Sequence, residues 1–260
     1  MNKTSIKFIK IVTYILIVIL LGLIFYDIYI IHQNKNSHRI PNNAINVSPI
    51  TGEPFNVSNA NPILSKIDYD CHEFNKLPYV ESADIIMEQY NSQTTAIDYS
   101  AYVFNKTIKV KDGISSLSKI NTTAFPKINF IDDLSFKETS MTLDNGTIYI
   151  YYNDDNVTSF TYDNGYYKKF AGTTLDKFSL SNDDVKYSNV VVQYLDNDST
   201  LDCFYKNSFK ATLFSNGKRQ NFLWDGKNFI FENNSPATFL KGKTYWILLP
   251  KNISYTFANK

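Results

Sequence analysis

Chemistry needs a nucleophile, a proton carrier or a metal ligand, and this sequence supplies few. Of its 3 histidines, His32 and His38 stand beside an apolar N-terminal run, which leaves His72 for a folded domain. A Ser-His-Asp arrangement would have to use His72, and no G-x-S-x-G elbow accompanies it; a solvated loop accounts for the residue. Cys71, His72 and Cys203 could supply metal ligands, but adjacent residues chelate one ion poorly and no C-x-x-C occurs. Cys71 and Cys203 could form a disulfide outside the cell. Two separate thiols, with Cys203 a small core residue of a strand, is the simpler reading.

Carboxylates recur in loops, at Asp154-Asp155, at Asp183-Asp184, and at Asp196-Asn197-Asp198 with Asp202. Oxygen-rich loops suit calcium, but the glycine and glutamate of an EF-hand are missing, and Asn/Asp loops between strands commonly serve as turns. Paired carboxylates for glycoside hydrolysis stay open, since every loop has an acid, and nothing singles out a pair. No G-x-G-x-x-G or P-loop occurs. The sequence therefore assigns no catalytic, cofactor-binding or metal-binding residue and implies no cofactor. A net charge of +1 gives no pull toward nucleic acid or acidic lipid.

The elements that would carry any site read as strands. Aromatics make up 15% of the chain and glycines number only 9, which favours packed β-structure over Gly-rich phosphate loops. Short apolar runs alternate with turn signals from Phe136 onward. Asp144-Asn145-Gly146, Asp163-Asn164-Gly165, Asn216-Gly217 and Asp225-Gly226 offer the φ > 0 positions of hairpin turns. Val190, Val191 and Val192 are consecutive and apolar, which suits a strand covered on both faces. Pro250 closes the last long strand. Trp224, Phe229, Phe231 and Trp246 are expected in one apolar cluster. Upstream, residues 62–68 and 97–104 read as strands, and residues 82–88 are helix or strand by periodicity alone. Ile114, Leu117 and Ile120 make a short amphipathic turn at most.

Residues 1–31 read as a membrane anchor. Lys3, Lys7 and Lys10 precede the apolar run 11–31. About 21 residues at ~1.5 Å each give roughly 31 Å, enough to cross the hydrocarbon core. The run is too long for a cleaved signal peptide and no A-x-A-like site follows. The lysines favour a cytoplasmic N-terminus and a domain outside the cell. Residues 32–48 are polar and read as a linker.

Residues 189–193 (NVVVQ), 211–224 (ATLFSNGKRQNFLW) and 239–250 (FLKGKTYWILLP) resemble the C-terminal part of the YerB-like lipoprotein family, a domain of unknown function from Gram-positive bacteria. Residues 49–54 (PITGEP) resemble that family's "PLTG-x-P" entry, and residues 82–88 are similar to its "ADIVYE" segment. Tyr162, Asp163, Tyr167 and Gly172 can be laid on its "YEYD…Y-x-R…G-x-PH" run. The departures concern polar groups. Lys169 sits near the arginine slot, Thr173-Thr174 replace Pro-His, and residues 111–120 lack both arginines of a "GPVRSAR"-like segment. Such arginines could hold an anion bidentately. The central insertion of the N-terminal lobe is shortened, and no cysteine follows the apolar run, so an uncleaved anchor replaces the lipid. At Tyr245-Trp246 the family's single aromatic is doubled or shifted, and a one-residue shift exchanges the faces of a strand.

The resemblance and the residues together imply an α+β, mostly β fold. A shortened N-terminal α/β lobe (49–140) and an antiparallel β-meander lobe (141–260) would follow the anchor and linker. The implied function is a non-catalytic binding or scaffolding module at the cell envelope, with an envelope protein or wall polymer as partner and the membrane engaged through residues 11–31. The alternative is an envelope hydrolase working through loop carboxylates.

Overall fold

Turn-punctuated apolar runs become strands throughout. The computed structural model describes residues 46–55, 62–122, 125, 127–132, 142–143, 146–195, 209–224, 228–231 and 235–258. In chain order the strands are β1 (Leu64–Tyr69), β2 (Ile85–Asn91), β3 (Ala96–Phe104), β4 (Ile114–Ile120), β5 (Asn129–Ile131), β6 (Thr142–Leu143), β7 (Thr147–Asn153), β8 (Asn156–Asp163) and β9 (Tyr166–Ala171). They continue with β10 (Thr174–Leu175), β11 (Lys186–Tyr187), β12 (Asn189–Leu195), β13 (Phe209–Ser215), β14 (Lys218–Trp224), β15 (Phe229–Phe231), β16 (Thr238–Leu240), β17 (Thr244–Pro250) and β18 (Tyr255–Ala258). Among the described residues the helical content is confined to short 3-10 turns, of which Phe74–Lys76 and Val80–Ser82 are described in full. The chain is thus mostly β, and the α part expected of residues 49–140 is absent from their described portion. Residues 82–88 resolve into the second 3-10 turn and β2.

The large sheet runs β15-β14-β13-β12-β17-β2-β3-β1-β4, with β6 beside β14. Its centre differs from the meander expected of the C-terminal half: β17 pairs in parallel with β12 on one side and with β2 on the other. Both halves of the chain therefore share one sheet, and residues 46–260 form one compact unit. The physical reason is visible in the runs themselves. Val190, Val191, Val192, Ile247, Leu248, Leu249, Ile85, Ile86 and Met87 are all fully buried, and strands covered on both faces belong at the centre of a sheet. The doubled aromatic uses the same fact. Tyr245 and Trp246 are both inaccessible, one on each face: Tyr245 joins the core beneath the second sheet and Trp246 the core on the opposite side.

The second sheet, β10-β9-β8-β7-β18 with β11 beside β9, covers one face of the first. The other face is covered by the two-stranded β16-β5 sheet with Ile50, Phe125 and Ile128. Trp224, Phe229, Phe231 and Trp246 lie together in that second core, as their turn spacing implied. The hairpin turns at Asn164-Gly165 and Asn216-Gly217 have positive φ at both residues, as a two-residue type I′ loop requires. Residues 49–54 form a turn about Gly52, where a Cβ would stand 2.5 Å from the Phe130 side chain.

Ile114, Leu117 and Ile120 are not helical; they belong to edge strand β4, paired with β1. The register slips between Asp68 and Tyr69, with Tyr69 opposite Ile114 and Asp68 opposite Ser116. This bulge absorbs Ser115 and sets Ile114 and Leu117 on one face despite their three-residue spacing, so the strand imitates a helical pattern.

Candidate functional site

Between the two sheets lies an ionic node. Glu88 occupies the fourth position of the buried run on β2 and is fully inaccessible. Its Oε1 accepts a 2.7 Å hydrogen bond from the Tyr152 hydroxyl, and its Oε2 accepts one from the Tyr245 hydroxyl. Lys169, near the arginine slot of the resemblance, is buried on β9. Its ammonium donates to Asp176 at 2.6 Å and lies 4.4 Å from the centre of the Phe74 ring and 5.8 Å from that of Tyr245. Burial, reinforced by the Glu88 charge, drives the Tyr152 and Tyr245 phenols well above their usual range. Burial likewise raises Tyr99 and Tyr187, with Glu88 and Asp176 adding to it. Buried polar and charged groups persist only when they are paired or hydrogen-bonded: Lys169 is paired with Asp176, and Glu88 is held by two phenolic hydrogen bonds. This is an internal clamp between the sheets rather than a solvent-facing catalytic group.

One end of the node opens onto a groove of about 500 Å³. Its aromatic walls follow from strand alternation on β7. Ile148, Ile150 and Tyr152 point inward, while Tyr149 and Tyr151 are exposed. The register with β8 shifts between Tyr151 and Asn153, so that Tyr151 stands opposite Val157 and Asn153 opposite Asn156, a device that often re-aims side chains at sites. Tyr152 stacks on Tyr90 with centroids 5.2 Å apart and planes at 13°, and the Asn153 amide donates to the Tyr90 hydroxyl at 3.2 Å. Ser92, Asn252, Ser254 and Thr256 complete the lining with neutral hydroxyl and amide groups. The Tyr151 hydroxyl donates to Asp154. This bond is the main reason the Tyr151 phenol is raised.

A second cleft, of about 780 Å³, lies where the large sheet projects past β18. Its floor is the face of β13 and β14 that carries Lys210, Thr212, Arg219, Asn221 and Leu223, and its wall is Tyr194, Tyr255 and Phe257. The Tyr255 hydroxyl donates to Thr212 at 3.1 Å, and the Thr212 hydroxyl donates to Asn221 Oδ1 at 3.0 Å. The Arg219 guanidinium lies 5.5 Å from the Phe257 ring centre.

The residues weighed from the sequence are dispersed. His72 Nδ1 lies 3.0 Å from the Ile97 carbonyl and 3.3 Å from Asp98 Oδ1, on the surface. Cys71 is a free thiol beside it. Asp183 accepts the Phe178 N–H through its backbone in a turn, and Asp184 pairs with Lys168 at 3.7 Å. Among the described residues no three His, Cys, Asp or Glu side chains gather as a metal site would need. No helix among the described residues is long and apolar enough to cross a membrane. The anchor at 1–31, linker residues 32–45, His32, His38, Asp144, Asn145, Asp196, Asp198, Asp202, Cys203, Asp225 and Gly226 lie outside the described residues. Sequence reasoning missed Glu88 and the groove tyrosines. The signals were a single acid inside an apolar run and the alternation Tyr149-Ile150-Tyr151.

This sandwich resembles a known one. The crystal structure of the YerB protein from Bacillus subtilis matches over 81% of this chain and 99% of that chain, with a TM-score of 0.56 and 12% identity. No family model and no curated protein matches the sequence. At that identity the likeness establishes a shared fold, with the polar groups free to differ.

Proposed function

We infer that this chain is a non-catalytic binding module for a neutral glycan of the cell envelope, held outside the cytoplasmic membrane by residues 11–31. The observation that carries this reading is the lining of the tyrosine groove. Exposed phenol rings offer faces to the C–H faces of a sugar, and neutral hydroxyl and amide groups surround them to exchange hydrogen bonds with sugar hydroxyls. The hydrolase alternative needs two carboxylates flanking a glycosidic bond. The described lining offers none, and Glu88 is sealed beneath Tyr152.

The test is calorimetric titration of the full chain in detergent with soluble glycan strands released from purified cell wall. Saturable binding is expected. The double variant Tyr149→Ala/Tyr151→Ala should weaken it about tenfold or more, since each stacked ring contributes roughly 0.5–1.5 kcal/mol, with the melting temperature unchanged. Absence of binding at millimolar glycan, or equal binding by the variant, sinks the reading. Release of new reducing ends during incubation would restore the hydrolase.

A further inference from the structure

Lys169 and Asp176 are held as two reactants would be held. They face each other across the β9–β10 hairpin, where the Asp176 N–H donates to the Lys169 carbonyl at 3.0 Å. The Lys169 N–H donates to the Val185 carbonyl, and the Val185 N–H to the Asp176 carbonyl, each at 3.0 Å. Both backbones are thereby fixed, and the side chains meet with Nζ 2.6 Å from Asp176 Oδ2. A nitrogen hydrogen-bonded to a carboxyl oxygen needs only a short displacement to reach the carboxyl carbon, and pairs fixed in this way react at very high effective concentration.

The ion pair is poorly served where it lies. Side-chain exposure is 1% for Lys169 and 12% for Asp176. An ammonium carries three N–H donors, yet among the described residues its one oxygen partner is Asp176 Oδ2. Phe74 and Tyr245 offer it ring faces, with centroids at 4.4 and 5.8 Å. Two ions sealed from water with donors to spare are costly. A neutral amide in their place asks for an acceptor for a single N–H, and the exclusion of water protects it from hydrolysis. The Tyr187 ring packs edge-on against Tyr245, with centroids 5.0 Å apart. Its hydroxyl is buried and, among the described residues, has no hydrogen-bond partner. Asp176 is the charge that weighs most on it.

We propose that Lys169 Nζ and the Asp176 carboxyl condense to an amide, an intramolecular cross-link that ties β9 to the segment following β10. The ammonium passes one proton to the carboxylate, leaving a neutral amine and a carboxylic acid. The nitrogen attacks Asp176 Cγ and forms the C–N bond, while the Tyr187 hydroxyl donates to the oxygen that gains charge. The nitrogen gives up a second proton to the departing hydroxyl, the Cγ–O bond breaks, and one water leaves. No oxidant and no activated co-reactant enters the step. The cross-link is independent of the glycan reading.

Intact-mass spectrometry of the full chain, purified in detergent and then denatured, decides this. The chain should weigh one water less than its sequence requires, and digestion should release a branched peptide joining Lys169 to Asp176. Lys169→Arg, which keeps the ion pair, and Asp176→Ala should each have the full sequence mass. Sampled during cell-free synthesis, Tyr187→Phe should lose water about tenfold or more slowly than the wild type. A wild-type chain at full sequence mass overturns the proposal, whether or not any variant folds. So does a missing water that maps to Asp112-Gly113 or Asp225-Gly226 and returns in mild alkali, because aspartyl cyclisation is then its source. Conversion of Tyr187→Phe at the wild-type rate overturns the part given to that hydroxyl.

Discussion

Raising the pH above about 10 should unfold this domain cooperatively from its interior. Tyr99, Tyr152, Tyr187 and Tyr245 are buried phenols whose folded pKa values stand well above those of the unfolded chain, because burial, and next to it the charges of Glu88 and Asp176, disfavour the phenolate. Below about pH 10 these groups are protonated in both states and their contribution is fully present. Above it the unfolded chain releases protons that the folded chain retains, so stability falls by about 1.4 kcal/mol per pH unit for each phenol. Four such groups give a slope of roughly 5–6 kcal/mol per pH unit. Against a total stability of about 5–15 kcal/mol, that places the midpoint roughly one to three pH units above 10. Phenolate absorbance and tryptophan emission should be followed together, since Trp224 and Trp246 report the opposite core. The buried phenols should ionise in the same step that shifts the emission to the red. Tyr245→Phe should lower stability at neutral pH by about 1–3 kcal/mol, because Glu88 Oε2 loses its donor, yet flatten the alkaline slope by about 1.4 kcal/mol per pH unit. Complete phenolate formation with the emission unchanged would refute the reasoning.

Three further outcomes are expected. Trp224→Ala should cost about 3–5 kcal/mol in denaturant unfolding, and the wild-type emission should be blue-shifted and poorly quenched by acrylamide, because both tryptophans are buried. Asn189→Ala should cost about 3 kcal/mol or more in the same assay, because Asn189 bonds both the N–H and the carbonyl of Leu240 and accepts the Ser215 hydroxyl at 2.7 Å. Protease added to intact protoplasts should degrade residues 46–260; survival of the domain until the cells are lysed would reverse the proposed orientation of the anchor.

The groove was only half legible in the sequence. Strand alternation alone places Tyr149 and Tyr151 on the face opposite Ile148 and Ile150, because side chains on a strand have a period of two. That Tyr90 on β2 stacks on Tyr152 on β7 depends on two sheets meeting at one end, which no local pattern encodes. Glu88 was read as part of a segment similar to a family motif. Its role came from Tyr152 and Tyr245, 64 and 157 residues away.

Local chemistry determined a good deal of this protein. Asn-Gly at 164–165 and 216–217 dictated hairpins, since these residues adopt positive φ at little cost. The valine run dictated a strand buried on both faces, and the aromatic spacing around Trp224 and Trp246 dictated their common core. Tertiary structure decided the rest. Apolar runs do not encode the direction in which strands pair, so the parallel junction of β12, β17 and β2, which fuses the two halves of the chain into one sheet, could not be read from them. The bulge at Ser115 disguised a strand as a helical turn, because its extra residue is visible only against the partner β1. The two candidate sites arise where unequal sheets fail to cover each other, and that mismatch exists only once both sheets have formed.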